Sequence, residues 1–258
     1  MNKARIREEV EKLRPIDDIM FRKMAEDKAF CQELLQVILG DKQLVVEKSE
    51  VQWSGNNLQG RSVIMDCLCH MGDGRVINIE VQRANNDDSQ KRVRYNGAVL
   101  TTNITDPGKD FKSVPDICII FIAEYDIFGK DLSLYHVDRV VRETGEVVAN
   151  GMEEIYVYAG ARNDTEVSAL MQVFTEKDTY DDRFPVISGR KQQFKGKGSK
   201  EETHMSDSLL KLMEEEREAG IKAGMQAGMQ AGRDSLIESL RAIGISEEQI
   251  NKALATMN

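Results

Sequence analysis

The spacing of apolar residues along the chain changes from helical to strand-like and back again. An amphipathic helix ending near Gly40 is followed by three strand patterns, a second helical pattern and "ICIIFIA", a continuous run typical of a strand buried on both faces. These segments are residues 17–40, 43–54, 63–71, 76–82, 87–104 and 117–123. The strand patterns "SLYHVDRVV" and "EEIYVYAG" and the short helix "EVSALMQVF" come later. This order predicts an α/β core with a mixed sheet.

The second and third strand patterns are joined by the turn Gly72-Asp73-Gly74, and each carries one acid. Pairing that is symmetric about Asp73 places Asp66 opposite Glu80, with Cβ atoms roughly 4.5–5.5 Å apart. A two-residue turn would shift the register by one and send the acids to opposite faces. The symmetric register is preferred because it gathers one apolar face, consisting of Val63, Met65, Cys67, Cys69, Met71, Ile77, Ile79 and Val81.

Two carboxylates that oppose each other in a sheet repel unless a positive charge compensates them. Mg²⁺ prefers carboxylate oxygens and retains several waters, and the main-chain carbonyl of Val81 is a candidate further oxygen ligand. Gln82 lies on the same face as Glu80 and can orient a water or a phosphate oxygen. The pattern indicates metal-assisted hydrolysis. An exposed sheet face on which the acids have no special role is the alternative.

The order of these features resembles the PD-(D/E)XK nuclease superfamily, and more narrowly its transposase-like branch, the recombination-promoting nuclease (Rpn) family. The matching stretches are "IDDIMFRKM", "SVIMD…GDGRVINIEVQ", "RVRYN" and "VPDICIIFIAEYDIF", and the likeness extends from Pro15 to Pro185. The resemblance implies a restriction-endonuclease-like αβββαβ core. It also implies a DNA endonuclease of the transposase or recombination-promoting type, which uses Mg²⁺ or, in its place, Mn²⁺.

Within this resemblance, Asp66 matches the motif aspartate and Glu80 matches the second acidic position. Met65 stands where the motif has proline, and Gln82 stands where it has lysine. A neutral amide cannot stabilise developing negative charge as an ammonium does, so a neighbouring cation would have to supply that charge. The candidate cations are Arg83, Lys91 and Arg92.

Arg92 and Tyr95 lie three residues apart on the second helix and match a basic-and-tyrosine pair that is expected to engage phosphate. Glu33 and Asp18 are candidate additional carboxylates. The alternative function is a catalytically weak or inactive nucleic-acid-binding protein on the same fold.

The chain divides into a nuclease-like domain at residues 1–187, a basic linker at 188–200 and a helical tail at 201–258. The formal net charge of −9 argues against general attraction to nucleic acid. However, residues 183–200 contain no acid and six basic residues, which are Arg183, Arg190, Lys191, Lys195, Lys197 and Lys200. This stretch is interpreted either as a contact to the DNA backbone or as a solvated linker.

The tail repeats Ala-Gly-x-x four times between Ala219 and Gly232. Each interior glycine costs about 1 kcal/mol of helix propensity relative to alanine. The tail is therefore expected either to be a flexible helical spacer or to pack closely in a homo-oligomer.

The N-terminus lacks the apolar core of a secretory signal, and the longest apolar run is far below the ~20 residues of a membrane span. These features predict a cytoplasmic protein that does not enter a membrane. The four cysteines show no CxxC spacing, and the three histidines are scattered. We expect the cysteines to act as small apolar residues rather than as a zinc site.

Overall fold

The computed structural model describes residues 3–57, 60–85, 88–195, 200–247 and 249–250, with side chains described from residue 8 to 195 and from 208 onward. The helices are α1 (Lys3–Lys12), α2 (Asp18–Ala25), α3 (Lys28–Ile38), α4 (Ser89–Ile104), α5 (Glu166–Thr175), α6 (Pro185–Phe194) and α7 (Lys200–Ala242). The strands are β1 (Val46–Gly55), β2 (Val63–Met71), β3 (Val76–Gln82), β4 (Ile117–Ala123), β5 (Leu134–Val137) and β6 (Met152–Tyr158). The chain forms two compact units, Met1–Leu210 and Lys211–Asn258.

The strands form one six-stranded sheet in the order β1-β2-β3-β4-β6-β5. The β1-β2 and β2-β3 pairs are antiparallel, the β3-β4 and β4-β6 pairs are parallel, and β5 is antiparallel to β6. Every side chain of β4 is buried, as its unbroken apolar sequence predicts. The α/β prediction with a mixed sheet is confirmed.

The β2-β3 hairpin has the predicted register. Its pairs are Cys67–Ile79, Leu68–Asn78, Cys69–Ile77 and His70–Val76, all symmetric about Asp73. Gly74 adopts a φ of 90° in the turn, a conformation that glycine accepts without a steric cost.

Successive residues of β2 face opposite sides of the sheet, and helices cover both sides. Leu68 packs in one core cluster with Val93 and Leu100 of α4, whereas Cys67 contacts Cys31 of α3. Met65 belongs to the α4 cluster as well, so the prediction that Met65 and Cys67 share one face is wrong. The alternation reverses at Asp66, where the opposing strand is also irregular.

Apart from a register shift between Val46 and Lys48, β1 is irregular at Gln52, which has a φ of 54° and is missing, together with Asp66, from the β1-β2 ladder. Such a left-handed residue bends the strand locally and re-aims its neighbours. The physical cause of the face reversal is thus a local distortion that strand periodicity does not encode.

The first amphipathic segment is not one continuous helix. It divides into α2 and α3, because the Asp27 carboxylate accepts a hydrogen bond from the Ala29 N–H at 2.9 Å and caps α3. The two helices and α5 share an aromatic contact, with Phe30 packed against Phe21 and Phe174.

Residues 188–194 of the predicted linker are helical, as the second half of α6. Lys191 is buried, and its Nζ donates to the carbonyls of Val173 and Glu176 at 2.9 and 2.7 Å. It therefore caps the carboxyl end of α5. Lys195 is also buried and donates to the Lys177 carbonyl, so this part of the basic stretch is structural rather than solvated. The Lys197 prediction lies outside the described residues.

The second unit contains most of α7. Its repeated glycines have no neighbouring group within 4 Å of an added Cβ, and Ile221, Met225 and Met229 are exposed along it. After the helix, the Ser246 N–H donates to Gln249 at 3.3 Å, and the Gln249 N–H donates to the Ser246 hydroxyl at 3.4 Å, so the two residues form a capping box. Among the described residues, no helix combines the length and the apolar character needed to cross a bilayer.

Candidate active site

Asp66 and Glu80 lie where the β2-β3 ladder stops. The last main-chain pair is Cys67–Ile79. Beyond it, the Asp66 side chain rather than the main chain of β2 accepts a hydrogen bond from the Val81 N–H, at 2.9 Å. The amide and carbonyl of one residue point to the same side of a strand. The Val81 carbonyl therefore also points to the side on which Asp66 lies.

Both acids of the pair have a raised pKa. Burial, and after it the negative charge of Glu80, raises the pKa of Asp66 to about 7. The charge of Asp18, on the first turn of α2, contributes to the same shift. Burial also raises the pKa of Glu80, which is 0% exposed, although hydrogen bonds from Asn78 and Arg92 oppose the shift.

Each oxygen of the Glu80 carboxylate has a donor. Asn78 Nδ2 donates to Glu80 Oε1 at 3.0 Å, and Arg92 Nη2 donates to Glu80 Oε2 at 3.0 Å. Asn78 is fully buried, and its own Oδ1 accepts no hydrogen bond among the described residues. These contacts fix the orientation of Glu80 from its own strand and from α4.

Gln82 is tied to the same arginine. Its Oε1 accepts from Arg92 Nη1 at 2.9 Å, and its Nε2 donates to the carbonyl of Ala84 at 2.9 Å. The guanidinium of Arg92 thus bridges Glu80 and Gln82. Of the three cations considered for the missing lysine charge, Arg92 is the one beside the acids.

The other two cations are held elsewhere. Arg83 forms ion pairs with Asp17 at 2.8 Å and Glu124 at 3.2 Å, and both acids also bind Arg14. Lys91 pairs with Asp88 at 2.7 Å and is mostly exposed. Asp88 also caps α4 by accepting a hydrogen bond from the Lys91 N–H at 3.0 Å.

Tyr95 does not contact Glu80 or Gln82 through its hydroxyl. The hydroxyl donates to the Arg61 carbonyl at 2.6 Å and accepts from Asn57 at 3.0 Å, so it fastens the loop before β2 to α4. Between this loop and α4 lies a cleft of about 630 Å³. Its cationic and aromatic lining consists of Arg61, Lys91, Arg92, Arg94 and Tyr95.

Residues 15–173 match the family model of the PD-(D/E)XK nuclease family transposases. The chain belongs to this family. No curated protein and no solved structure matches the chain significantly. Membership in the PD-(D/E)XK transposase family supports a nuclease-like function with DNA as the substrate class, and nucleases of this kind generally use divalent metal ions.

The carboxylates of Asp66 and Glu80 and the carbonyl of Val81 are donors that suit such an ion. Carboxylate and carbonyl oxygens are hard ligands of the type preferred by Mg²⁺. Asp66 and Glu80 together carry two negative charges when ionised, and Arg92 offsets one of them. Burial, and after it the charge of Glu80, raises the pKa of Asp66, and a bound divalent cation would favour the ionised form of both acids.

The two additional carboxylates have different environments. Asp18 acts electrostatically on Asp66, so it lies in the surroundings of the Asp66–Glu80 pair. It also forms an ion pair with Arg22 at 2.9 Å. Glu33 does not join the Asp66–Glu80 pair. Its oxygens accept from the Val186 and Ile187 N–H groups at 3.2 and 2.7 Å, which caps an α6 that has no side-chain cap of its own.

Asn78 is the residue that sequence reasoning overlooked. The signal was present, since Asn78 precedes Glu80 by two residues and therefore shares its face. An asparagine in a buried strand needs a partner, and an acid on the same face is the nearest candidate.

Proposed function

We propose that this protein is a divalent-metal-dependent DNA endonuclease that hydrolyses phosphodiester bonds, with Mg²⁺ as the ion. The observation that carries the proposal is the convergence of Asp66 and Glu80 at the open end of the β2-β3 ladder, where the charge of one raises the pKa of the other. Two such acids are unfavourable for the fold and are explained by a ligand that compensates them.

In this proposal the metal ligands are the carboxylates of Asp66 and Glu80 and the carbonyl of Val81. The ion would supply an activated water and stabilise negative charge on the phosphoryl oxygen. Asn78 holds Glu80 in the orientation needed for binding. The hydrogen bond from the Val81 N–H does the same for Asp66.

We assign the role of the motif lysine to Arg92. Its guanidinium lies beside Glu80 and Gln82 and faces the cleft, where it can bind a phosphate oxygen. Gln82 is then a positioning residue, because its amide fixes Arg92 by one hydrogen bond and is itself fixed by the Ala84 carbonyl. This assignment differs from the expectation that Gln82 orients the attacking water.

The cleft is the proposed path of the DNA backbone. Arg61, Lys91, Arg92 and Arg94 line it, and Asp88 is the one acid among its lining residues. A protein with a net charge of −9 can still bind phosphate where its cations are clustered. Binding through such contacts should weaken as salt is raised.

Plasmid nicking tests the proposal. Wild-type protein should nick DNA with Mg²⁺ and not with EDTA, and Asp66→Asn and Glu80→Gln should each abolish nicking. Asp73→Asn, the same chemical change in the exposed turn of the same hairpin, should retain it. Cleavage that persists in both active-site variants would show that another site is responsible.

A DNA-binding protein without turnover is the second candidate. The observation that favours it is the ion pair between Arg92 and Glu80, since this pair competes with any metal for a Glu80 oxygen. Salt-dependent DNA binding without metal-dependent nicking would select this candidate over the first.

A further inference from the structure

Three of the four cysteines lie together between α3 and β2. Cys67 Sγ is 3.8 Å from Cys31 Sγ and 3.8 Å from Cys69 Sγ, and the three sulfurs all lie within 4.8 Å of one another. Each of the three residues is 0% exposed. We call them the three-thiol cluster. Their spacing along the chain gives no sign of it, because Cys31 comes from a separate helix.

The separation of the sulfurs fits ligation of one central atom. Arsenic(III) with three sulfur ligands is trigonal-pyramidal, with angles of about 90–100°, so bonds of about 2.3 Å to sulfur place the sulfurs roughly 3.3–3.5 Å apart. The two measured distances to Cys67 are a few tenths of an ångström longer than this. The Cys31–Cys69 separation does not exceed 4.8 Å, so side-chain rotations can bring the three sulfurs onto one atom.

We propose that the three-thiol cluster binds a trivalent thiophilic metalloid, with arsenite as the representative ligand. Arsenous acid, As(OH)₃, would react with the three thiols. Three S–H bonds and three As–O bonds break, three As–S bonds form, and three waters leave. Arsenic remains in the +3 state throughout, so the reaction needs neither an oxidant nor a reductant.

The charge of the product selects a trivalent centre. Three thiolates carry three negative charges, so Zn²⁺ would leave one of them and Cu⁺ would leave two uncompensated in a buried site. Such buried charge is costly unless it is paired. The one charged side chain among the main influences on the pKa of Cys31 is an acid, Asp27, and the main influences on the pKa of Cys67 and Cys69 are burial and the neighbouring thiols. An arsenic(III) centre bound to three thiolates is neutral overall, so it avoids the cost of burying an unpaired charge.

The test uses the full-length, reduced protein in EDTA. With one equivalent of arsenite, native mass spectrometry should show a gain of one arsenic and a loss of three hydrogens. X-ray absorption should count three sulfurs around arsenic. Because the product joins α3 to β2 in the folded state, the thermal midpoint should rise. No binding, a count of two sulfurs, or retention of Zn²⁺ or Cu⁺ in preference to arsenic would overturn the proposal.

Cysteine variants add a matched comparison. Cys118→Ala removes a buried thiol from β4 that is outside the cluster, and it should bind arsenite like the wild type. Cys31→Ala and Cys67→Ala should each lose the three-sulfur signal. If either variant does not fold, the sulfur count of the wild type decides alone. None of these readouts measures DNA cleavage, so the result is independent of the proposed nuclease function.

Discussion

Asp66 and Glu80 place two acids in a largely buried part of the sheet, with a single guanidinium beside them. This is unfavourable for folding and useful for binding a cation. The pKa of Asp66 is raised because burial and the Glu80 charge both disfavour its ionised form. The two acids therefore lower the free energy of unfolding at neutral pH, and a stability measurement should detect this.

Asp66→Asn should make the metal-free protein more stable at neutral pH. The folded pKa of Asp66 is about 7 and its reference value is 3.8, so its stabilising contribution is present below pH 3.8 and is lost as pH rises through 7. The gain of the variant over wild type should grow across this window by roughly 4 kcal/mol.

Denaturant unfolding in EDTA at pH 4, 5.5 and 7.5 measures this gain. Asp73→Asn, which changes an exposed carboxylate of the same hairpin, should show no such growth with pH. A gain for Asp66→Asn that is constant across the window would contradict the assigned environment.

Asn78→Leu should reduce cleavage while leaving the fold intact. The change removes the Nδ2 donor that orients Glu80 Oε1, and it also removes a buried Oδ1 that has no described partner. Loss of such an orienting contact typically lowers metal affinity or activity about 10- to 100-fold. The concentration of Mg²⁺ that gives half-maximal nicking should rise. An unchanged metal dependence would limit Asn78 to a packing role.

Three elements contribute side chains to the candidate site: β2 and β3 carry the acids, and α4 carries the arginine beside them. The first turns of α4 bring Arg92 over the end of β3, where the guanidinium contacts both Glu80 and Gln82. The positive charge that the strand motif lacks is therefore delivered by the following helix. In the proposed site, this exchange lets glutamine occupy the lysine position while a cation still offsets one of the two acids.

A charge swap tests this exchange. Gln82→Lys alone should impair nicking, because it places an ammonium against the Arg92 guanidinium. Adding Arg92→Gln should restore part of the lost activity by returning one cation and one amide to the site. Nicking rates of the two single variants and the double variant give the coupling between the positions. Strictly additive effects would show that the two residues act separately.

The contact between α6 and α5 is also electrostatic. Lys191→Met should destabilise the protein, because the carbonyls of Val173 and Glu176 lose their Nζ donor within the core. The cost should be about 1–3 kcal/mol in denaturant unfolding. Arg183→Met, which alters an exposed cation three-fifths accessible to solvent, should be nearly neutral. Equal stability of the two variants would support the solvated-linker interpretation instead.

At the scale of the whole molecule, the acidic total conceals an uneven distribution of charge. The net charge of −9 coexists with a cleft whose lining has four cations and one acid. The boundary between the two compact units also falls inside a helix, between Leu210 and Lys211 of α7. Leu209, which lies in the predicted tail, is fully buried and belongs to the first compact unit.

Truncation should therefore be made after Leu210. We expect residues 1–210 to be monomeric and the full chain to self-associate, because Ile221, Met225 and Met229 expose an apolar series along α7. Light scattering coupled to size exclusion measures both masses. Met225→Glu combined with Met229→Glu should convert the full chain to a monomer. A monomeric wild type would make the tail a helical spacer.

The amino-acid sequence was sufficient to predict the order of the strands, the hairpin register and the two acids, but not the break between α2 and α3 or the helix α6. The predicted features depend on periodicity and on a symmetric turn, which are local properties of the chain. It did not determine where the strand alternation reverses at Asp66, because that depends on the conformation of Gln52 in the neighbouring strand.

Packing between distant segments determines which cation lies beside Glu80 and which lysines are buried. Arg83, Lys91 and Arg92 are equivalent in sequence, but ion pairs with Asp17, Glu124 and Asp88 hold the first two away. Glu33 likewise caps α6 across 154 residues of chain. The three-thiol cluster has the same origin. Side chains from distant segments meet only when helices pack on the sheet, and no spacing in the sequence records that meeting.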